Sequence, residues 1–184
     1  LTTEAHDLLG AMEKLAGDGQ LHVVVSPGTE QWAPEDKDVE RISRRLGGDY
    51  TVNLHPRADV GKVWEGDHPG KKYTRKLYDF RAYQFDKQAR IFVDETETQE
   101  SVLWVIVHEL VHMILRNQLP HLYRIYQKLT PVDYYESDDA HERDLEEQLA
   151  NSIAQELTRG VFDRPWWRKR VEEMIKEAEY TPGL

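Results

Sequence analysis

Residues 102–115, VLWVIVHELVHMIL, are apolar almost all the way round when drawn as a helix, and a helix of that kind has to be buried. Three ionisable side chains sit inside the run: His108, Glu109 and His112. An unpaired buried carboxylate is expensive, and buried polar rings without partners add to the cost. Any fold that accepts this helix must therefore supply partners for all three groups. Helix positions i and i+4 differ by about 40° around the axis, so both imidazoles aim the same way and can share one ion. Glu109 is turned about 100° from His108, which places it beside such an ion and not on it.

His108-Glu109-Leu110-Val111-His112 is H-E-x-x-H, two histidines on one face with a glutamate between them. Zinc suits two neutral imidazoles and a carboxylate, with a fourth position left for water. His108 and His112 are expected as ligands to Zn2+, and Glu109 as the base that takes a proton from the water.

The third ligand has to come from elsewhere. His121 follows Pro120 with no glycine turn between the motif and itself, and it reads as a loop residue. The cluster His141-Glu142-Arg143-Asp144-Leu145-Glu146-Glu147 offers better candidates. Glu147, Ala150, Asn151, Ala154 and Thr158 share one helical face, and the two alanines let another helix approach closely. Glu147 is the expected third ligand, with Asn151 as the hydrogen-bonding support for a histidine. Glu146 is the runner-up; its neighbour one turn on is Ala150, so it lacks that support. Leu145, Leu149, Ile153 and Leu157 lie to one side and are expected in the core.

HELVH followed by Glu147-Gln148-Leu149-Ala150-Asn151-Ser152-Ile153-Ala154 resembles the ImmA/IrrE family of zinc metallopeptidases, whose pattern is H-E-x-x-H and then an E-x-x-A-N-x-F-A helix. Arg90-Ile91-Phe92-Val93-Asp94 running into the first helix is similar to that family too. The resemblance spans about residues 77–158. Ile153 stands where the family has Phe, and the gap from His112 to Glu147 is longer than the family's. The broader class, a zincin with a glutamate as third ligand, implies His108, His112 and Glu147 on zinc and Glu109 as general base. It implies a small mixed or antiparallel sheet packed on the active-site helix. The activity implied is hydrolysis of peptide bonds in a protein or peptide substrate. The oxyanion donor is open among Tyr134, Tyr135, His141 and Arg143, with His141 first because it lies near the start of the ligand helix. Competing readings are a zinc-stabilised binding or regulatory protein, a zinc amidase acting on a non-peptide substrate, and a metal-free helical interaction protein.

Composition narrows the partners. There are 24 Lys and Arg against 34 Asp and Glu, a formal charge of −10, which repels nucleic-acid backbones and anionic lipid. Short basic clusters at Lys71-Lys72, Arg75-Lys76 and Arg168-Lys169-Arg170 read as solvated faces. With no cysteine, disulfides, thiolate metal sites and a cysteine nucleophile are excluded, and a reducing, cytoplasmic home is expected. No apolar run reaches the 18 or so residues that a membrane span takes. The opening LTTEAHDLLG has neither the basic start nor the apolar run of a signal peptide and no initiating Met, so the chain reads as processed or as part of something longer.

The 184 residues read as a single α+β domain, strands early and helices late. Expected elements are a helix over 3–16, strands over 22–25 and 50–54, and between them a helix from Pro34-Glu35-Asp36 to Gly47-Gly48. Residues 55–76 read as a long loop. Leu77–Phe85 and Ala89–Val93 read as a hairpin around Asp86-Lys87-Gln88, and Thr96 with Gln99 as a capping box for a helix over 98–116. Helices over 139–159 and from Pro165 to about Ala178 complete the pattern. Trp166-Trp167 at the start of the last helix pack inward or mark a partner surface.

Overall fold

The computed structural model describes residue 14 and residues 19–75, 80–128 and 144–159. The expected helix over 3–16, Lys14 apart, and the one from Pro165, with Trp166-Trp167, lie outside these residues.

Four strands form one mixed sheet: β1 (Leu21–Val25), β2 (Tyr50–Pro56), β3 (Ala82–Phe85) and β4 (Gln88–Val93). Their order across the sheet is β1-β2-β4-β3. β1 with β2 and β2 with β4 run parallel, and β3 runs antiparallel to β4. Parallel neighbours need a crossover, usually helical. Helix α1 (Asp36–Arg45) supplies the first. The second contains α2 (Val60–Asp67), preceded by a 3-10 turn over Arg57–Asp59. The architecture is the expected α+β one.

The α2 segment corrects the long loop expected over 55–76. Gly61 and Gly66 are poor helix formers and hide the pattern. Tertiary packing overrides them: Trp64 is buried, and the Tyr73 ring lies so close to Gly61 that an added Cβ would sit 2.9 Å from its Cδ1.

The hairpin is tighter than expected. Asp86 and Lys87 alone join β3 to β4, with Asp86 at φ +57°, a left-handed conformation that Asp tolerates through local hydrogen bonding.

The long apolar helix is α3 (Gln99–Gln118). Its cap is Thr98, whose hydroxyl accepts from the Ser101 N–H, and not Thr96, whose own hydroxyl donates to Asp94. Thr96 lies two residues before the cap, in a turn where Asp94 Oδ1 accepts from both its N–H and its hydroxyl. Val52, Leu54, Ala89, Ile91 and Val93 alternate onto one face of the sheet and are essentially inaccessible, as are Ile106, Val107, Leu110, Val111, Ile114 and Leu115 of α3. These residues belong to one core.

Pro120–Lys128 is a helix, α4, so His121 belongs to a helix and not to a loop; Pro120 suits the first helical position, and Tyr126 is its buried anchor. Residues 139–143 of the helix expected over 139–159 lie outside the described residues; helix α5 spans Leu145–Arg159. Asp144 ends it by capping: its Oδ2 accepts from the Glu147 N–H at 3.2 Å, satisfying a helix-end donor.

A candidate metal centre

α5 packs along α3, and the residues between them explain how closely. Ala150 and Ala154 are fully buried, with Leu149, Ile153 and Leu157 beside them. Small side chains on that face bring the start of α5 against the motif turn of α3.

There His108 and His112 of α3 come together with Glu147 of α5. The His108 and His112 Nε2 atoms are 3.2 Å apart. Glu147 Oε2 lies 3.0 Å from His108 Nε2, and Glu147 Oε1 lies 3.3 Å from His112 Nε2. Ligands held about 2.0–2.1 Å from a tetrahedral ion sit about 3.3 Å from one another. The three donors thus already have the spacing that one ion imposes, and together they could hold a metal ion.

The imidazoles are fixed from outside the group. Trp104, one turn before His108, stacks on its ring with centroids 5.4 Å apart and planes 19° from parallel. His112 Nδ1 lies 2.5 Å from Glu146 Oε2, and Gln127 of α4 donates to the other oxygen of Glu146 at 3.4 Å. With Nδ1 committed to a carboxylate, the Nε2 side of His112 faces Glu147. Glu146 is therefore the support of a histidine and not an alternative ligand. Asn151, expected in that supporting role, is exposed; at His112 the role is taken by Glu146. His108 Nδ1 is buried and has no hydrogen-bond partner among the described residues.

The electrostatics are those of a site short of positive charge. Three carboxyls, Glu109, Glu146 and Glu147, are buried with the His112 ring, and the His108 ring beside them is mostly buried. Burial alone would push His112 toward its neutral form. Hydrogen bonds to Glu146 and Glu147, with the charges of Glu147 and Glu109, override it and push the ring up to about 10. Burial likewise raises the Glu147 carboxyl, but its bonds to His108 and His112 win and hold it far below the usual carboxylate range. The groups stay charged by pairing with each other, a role a divalent cation fills for both carboxylate and imidazole.

Glu109 is buried and lies outside the ligand group. Its Oε2 accepts a 2.6 Å hydrogen bond from Nε2 of Gln84 on β3, and Arg116, two turns farther along α3, donates to Oε1 of the same glutamine. Gln84 escapes a reading of the sequence because it sits on another element, at no helical or strand period from Glu109, whereas Arg116, seven positions on, shares the helical face of Glu109. Among the other candidates, His121 is exposed. Tyr134, Tyr135, His141 and Arg143 lie outside the described residues. No described helix is long and apolar enough to cross a membrane.

Comparison of the chain with protein-family models, with curated proteins and with solved structures returned no match.

Proposed function

We propose that this chain is a zinc-dependent metallopeptidase of the H-E-x-x-H plus glutamate type, nearest to the ImmA/IrrE family by its HELVH and EQLANSIA segments. The observation that carries the reading is Glu109. It is a buried carboxyl at the edge of a complete His-His-Glu donor group, and a purely structural metal site has no use for it. Two imidazoles and one carboxylate are a donor set that suits zinc and leaves a coordination position open.

His108, His112 and Glu147 would hold the ion. When bound, zinc supplies a Lewis acid that acidifies water near neutral pH and polarises a carbonyl. Glu109 takes a proton from the water as its oxygen bonds to the scissile carbonyl carbon. It then delivers that proton to the amide nitrogen as the C–N bond breaks. Glu146 keeps His112 in the orientation the donor group requires. His141 is assigned the oxyanion role only from its position in the chain.

The substrate is proposed to be an extended peptide lying as an added strand on the sheet. β4 is paired on both sides, so of the two hairpin strands only β3 has an edge to offer.

Two measurements on the protein prepared without chelator test the reading. Elemental analysis is expected to find one zinc per chain, and digestion of an unbiased peptide library is expected to yield cleaved peptides that the Glu109→Gln variant does not produce. Zinc without cleavage would move the protein to the binding or regulatory class.

A further inference from the structure

The peptidase reading leaves Gln84 and Arg116 without a task, yet they form the direct connection between the sheet edge and Glu109. We infer that Gln84 is a positioning residue that couples the capture of a peptide strand to the aim of the base, with Arg116 setting its orientation. The inference rests on the reading of Glu109 as that base.

The backbone supplies the first half. The Phe92 N–H donates to the Arg81 carbonyl at 2.9 Å, and β3 pairs with β4 in the register Ala82 to Ile91, Tyr83 to Arg90, Gln84 to Ala89. In an antiparallel ladder, residues alternate between those that bond to the partner strand and those whose N–H and C=O point away from it. Arg81 bonds to β4, so Tyr83 and Phe85 do as well. Ala82 and Gln84 therefore direct their N–H and C=O toward the outer side, where no described strand lies. An added peptide strand would bond to the backbone of Gln84 itself.

The side chain supplies the second half. Gln84 stands opposite fully buried Ala89, so its side chain leaves on the face that α3 covers. An amide can present either its oxygen or its nitrogen. Arg116 has only donors, and its guanidinium bonds to Gln84 Oε1. That selects the oxygen for Arg116 and turns the NH2 group to Glu109, 2.6 Å away. One carboxylate oxygen of Glu109 is thereby engaged, and the other is left for the proton transfer. A strand bound at the Gln84 backbone and a base held by the Gln84 side chain share one Cα, so the distance between substrate and base is set within a single residue.

The test uses the full zinc-loaded chain and whichever library peptide it cleaves. Gln84→Leu keeps the bulk and removes the donor. It is expected to lower kcat by about 10–100-fold, the usual cost of losing a group that orients the reacting one, with KM within about twofold because the strand bonds come from the backbone. Arg116→Leu is expected to lower kcat less, and Arg116→Lys, which still donates, to restore most of it. A kcat for Gln84→Leu within twofold of the parent, in protein with one zinc per chain and unchanged circular dichroism, would overturn the inference. Nitrogen-15 NMR of the Gln84 NH2 group reads the same contact without turnover. A downfield, slowly exchanging proton that disappears in Glu109→Ala and is weakened in Arg116→Leu supports the relay. An ordinary solvent-exposed glutamine signal overturns it. A parent chain that cleaves no peptide but gives that signal leaves the relay standing and sinks the peptidase reading instead.

Discussion

Glu146 grips the back of His112: its Oε2 lies 2.5 Å from the ring Nδ1, both side chains about nine-tenths buried. The contact leaves the opposite ring nitrogen to face Glu147, and it ties the orientation of a motif residue to a helix that begins 33 residues later (145 − 112).

If that contact orients the ring for an ion, Glu146→Ala is expected to weaken zinc binding by about 10–100-fold. Glu146→Gln retains an acceptor oxygen for Nδ1–H and is expected to fall between that variant and the parent. Competition with a chelating dye measures both. Equal affinity in all three proteins would show that Glu146 has no part in holding the ion.

Zinc uptake should expel a proton. Burial lowers His112, but Glu146 and Glu147 outweigh it and push it up to about 10, so the ring of the metal-free protein is protonated at pH 7. Its folded value lies above the ordinary one, so the proton is held throughout the neutral range. Ion binding needs neutral Nε2. About one proton per zinc is expected at pH 7, with apparent affinity rising with pH until the ring deprotonates unaided. Calorimetry in buffers of different ionisation heat counts the protons. A count of zero would mean that His112 is neutral before the ion arrives.

Removing the base should separate binding from turnover. Glu109→Gln is nearly isosteric and carries none of the three donor atoms. Its kcat is expected to drop by about 10²–10⁴-fold, the range general acid–base catalysis contributes, while zinc stays at one per chain. Loss of zinc in this variant would place Glu109 among the ligands.

Away from the site, Asp67 of α2 joins the sheet through a two-pronged pair with Arg90 at 2.9 and 3.0 Å and a hydrogen bond from Tyr83 at 2.6 Å. Burial raises the Asp67 carboxyl, but Arg90 and Tyr83 hold it below its ordinary value. A depressed folded value adds stability that is complete above the unfolded carboxyl value of about 3.9 and fades as pH falls through the folded one. Asp67→Asn is expected to cost roughly 2–3 kcal/mol at neutral pH, since it strands a mostly buried guanidinium, and to lessen the loss of stability in acid. Urea unfolding at pH 7 and pH 3 measures both effects.

Much of this architecture is written locally. The α3 window needs only its own residues to specify a buried helix, because every face is apolar and the i, i+4 geometry aligns His108 with His112 regardless of what surrounds them. Alternation places Val52, Leu54, Ile91 and Val93 on one face by the same local rule. The Ala150 and Ala154 stripe is legible for the same reason: it is a periodicity. Helix α2 was hidden because glycine's weak propensity is overridden by packing of Trp64 and by the Tyr73 ring over Gly61, contacts that no local window contains. The capping residue is Thr98 and not Thr96, because the turn closed by Asp94 holds Thr96 before the helix starts.

The sequence by itself determined the motif helix, the four strands in their order along the chain, and the candidacy of Glu147, since each follows from the period of a single element. Tertiary structure decided that Glu147 joins the two imidazole Nε2 atoms while Glu146 braces a ring from behind. Glu146 and Glu147 are adjacent and chemically identical, and only the angle at which α5 meets α3 separates them. It also decided that Gln84, from a strand edge, would reach Glu109, because contacts between elements depend on how those elements pack and not on any spacing within them.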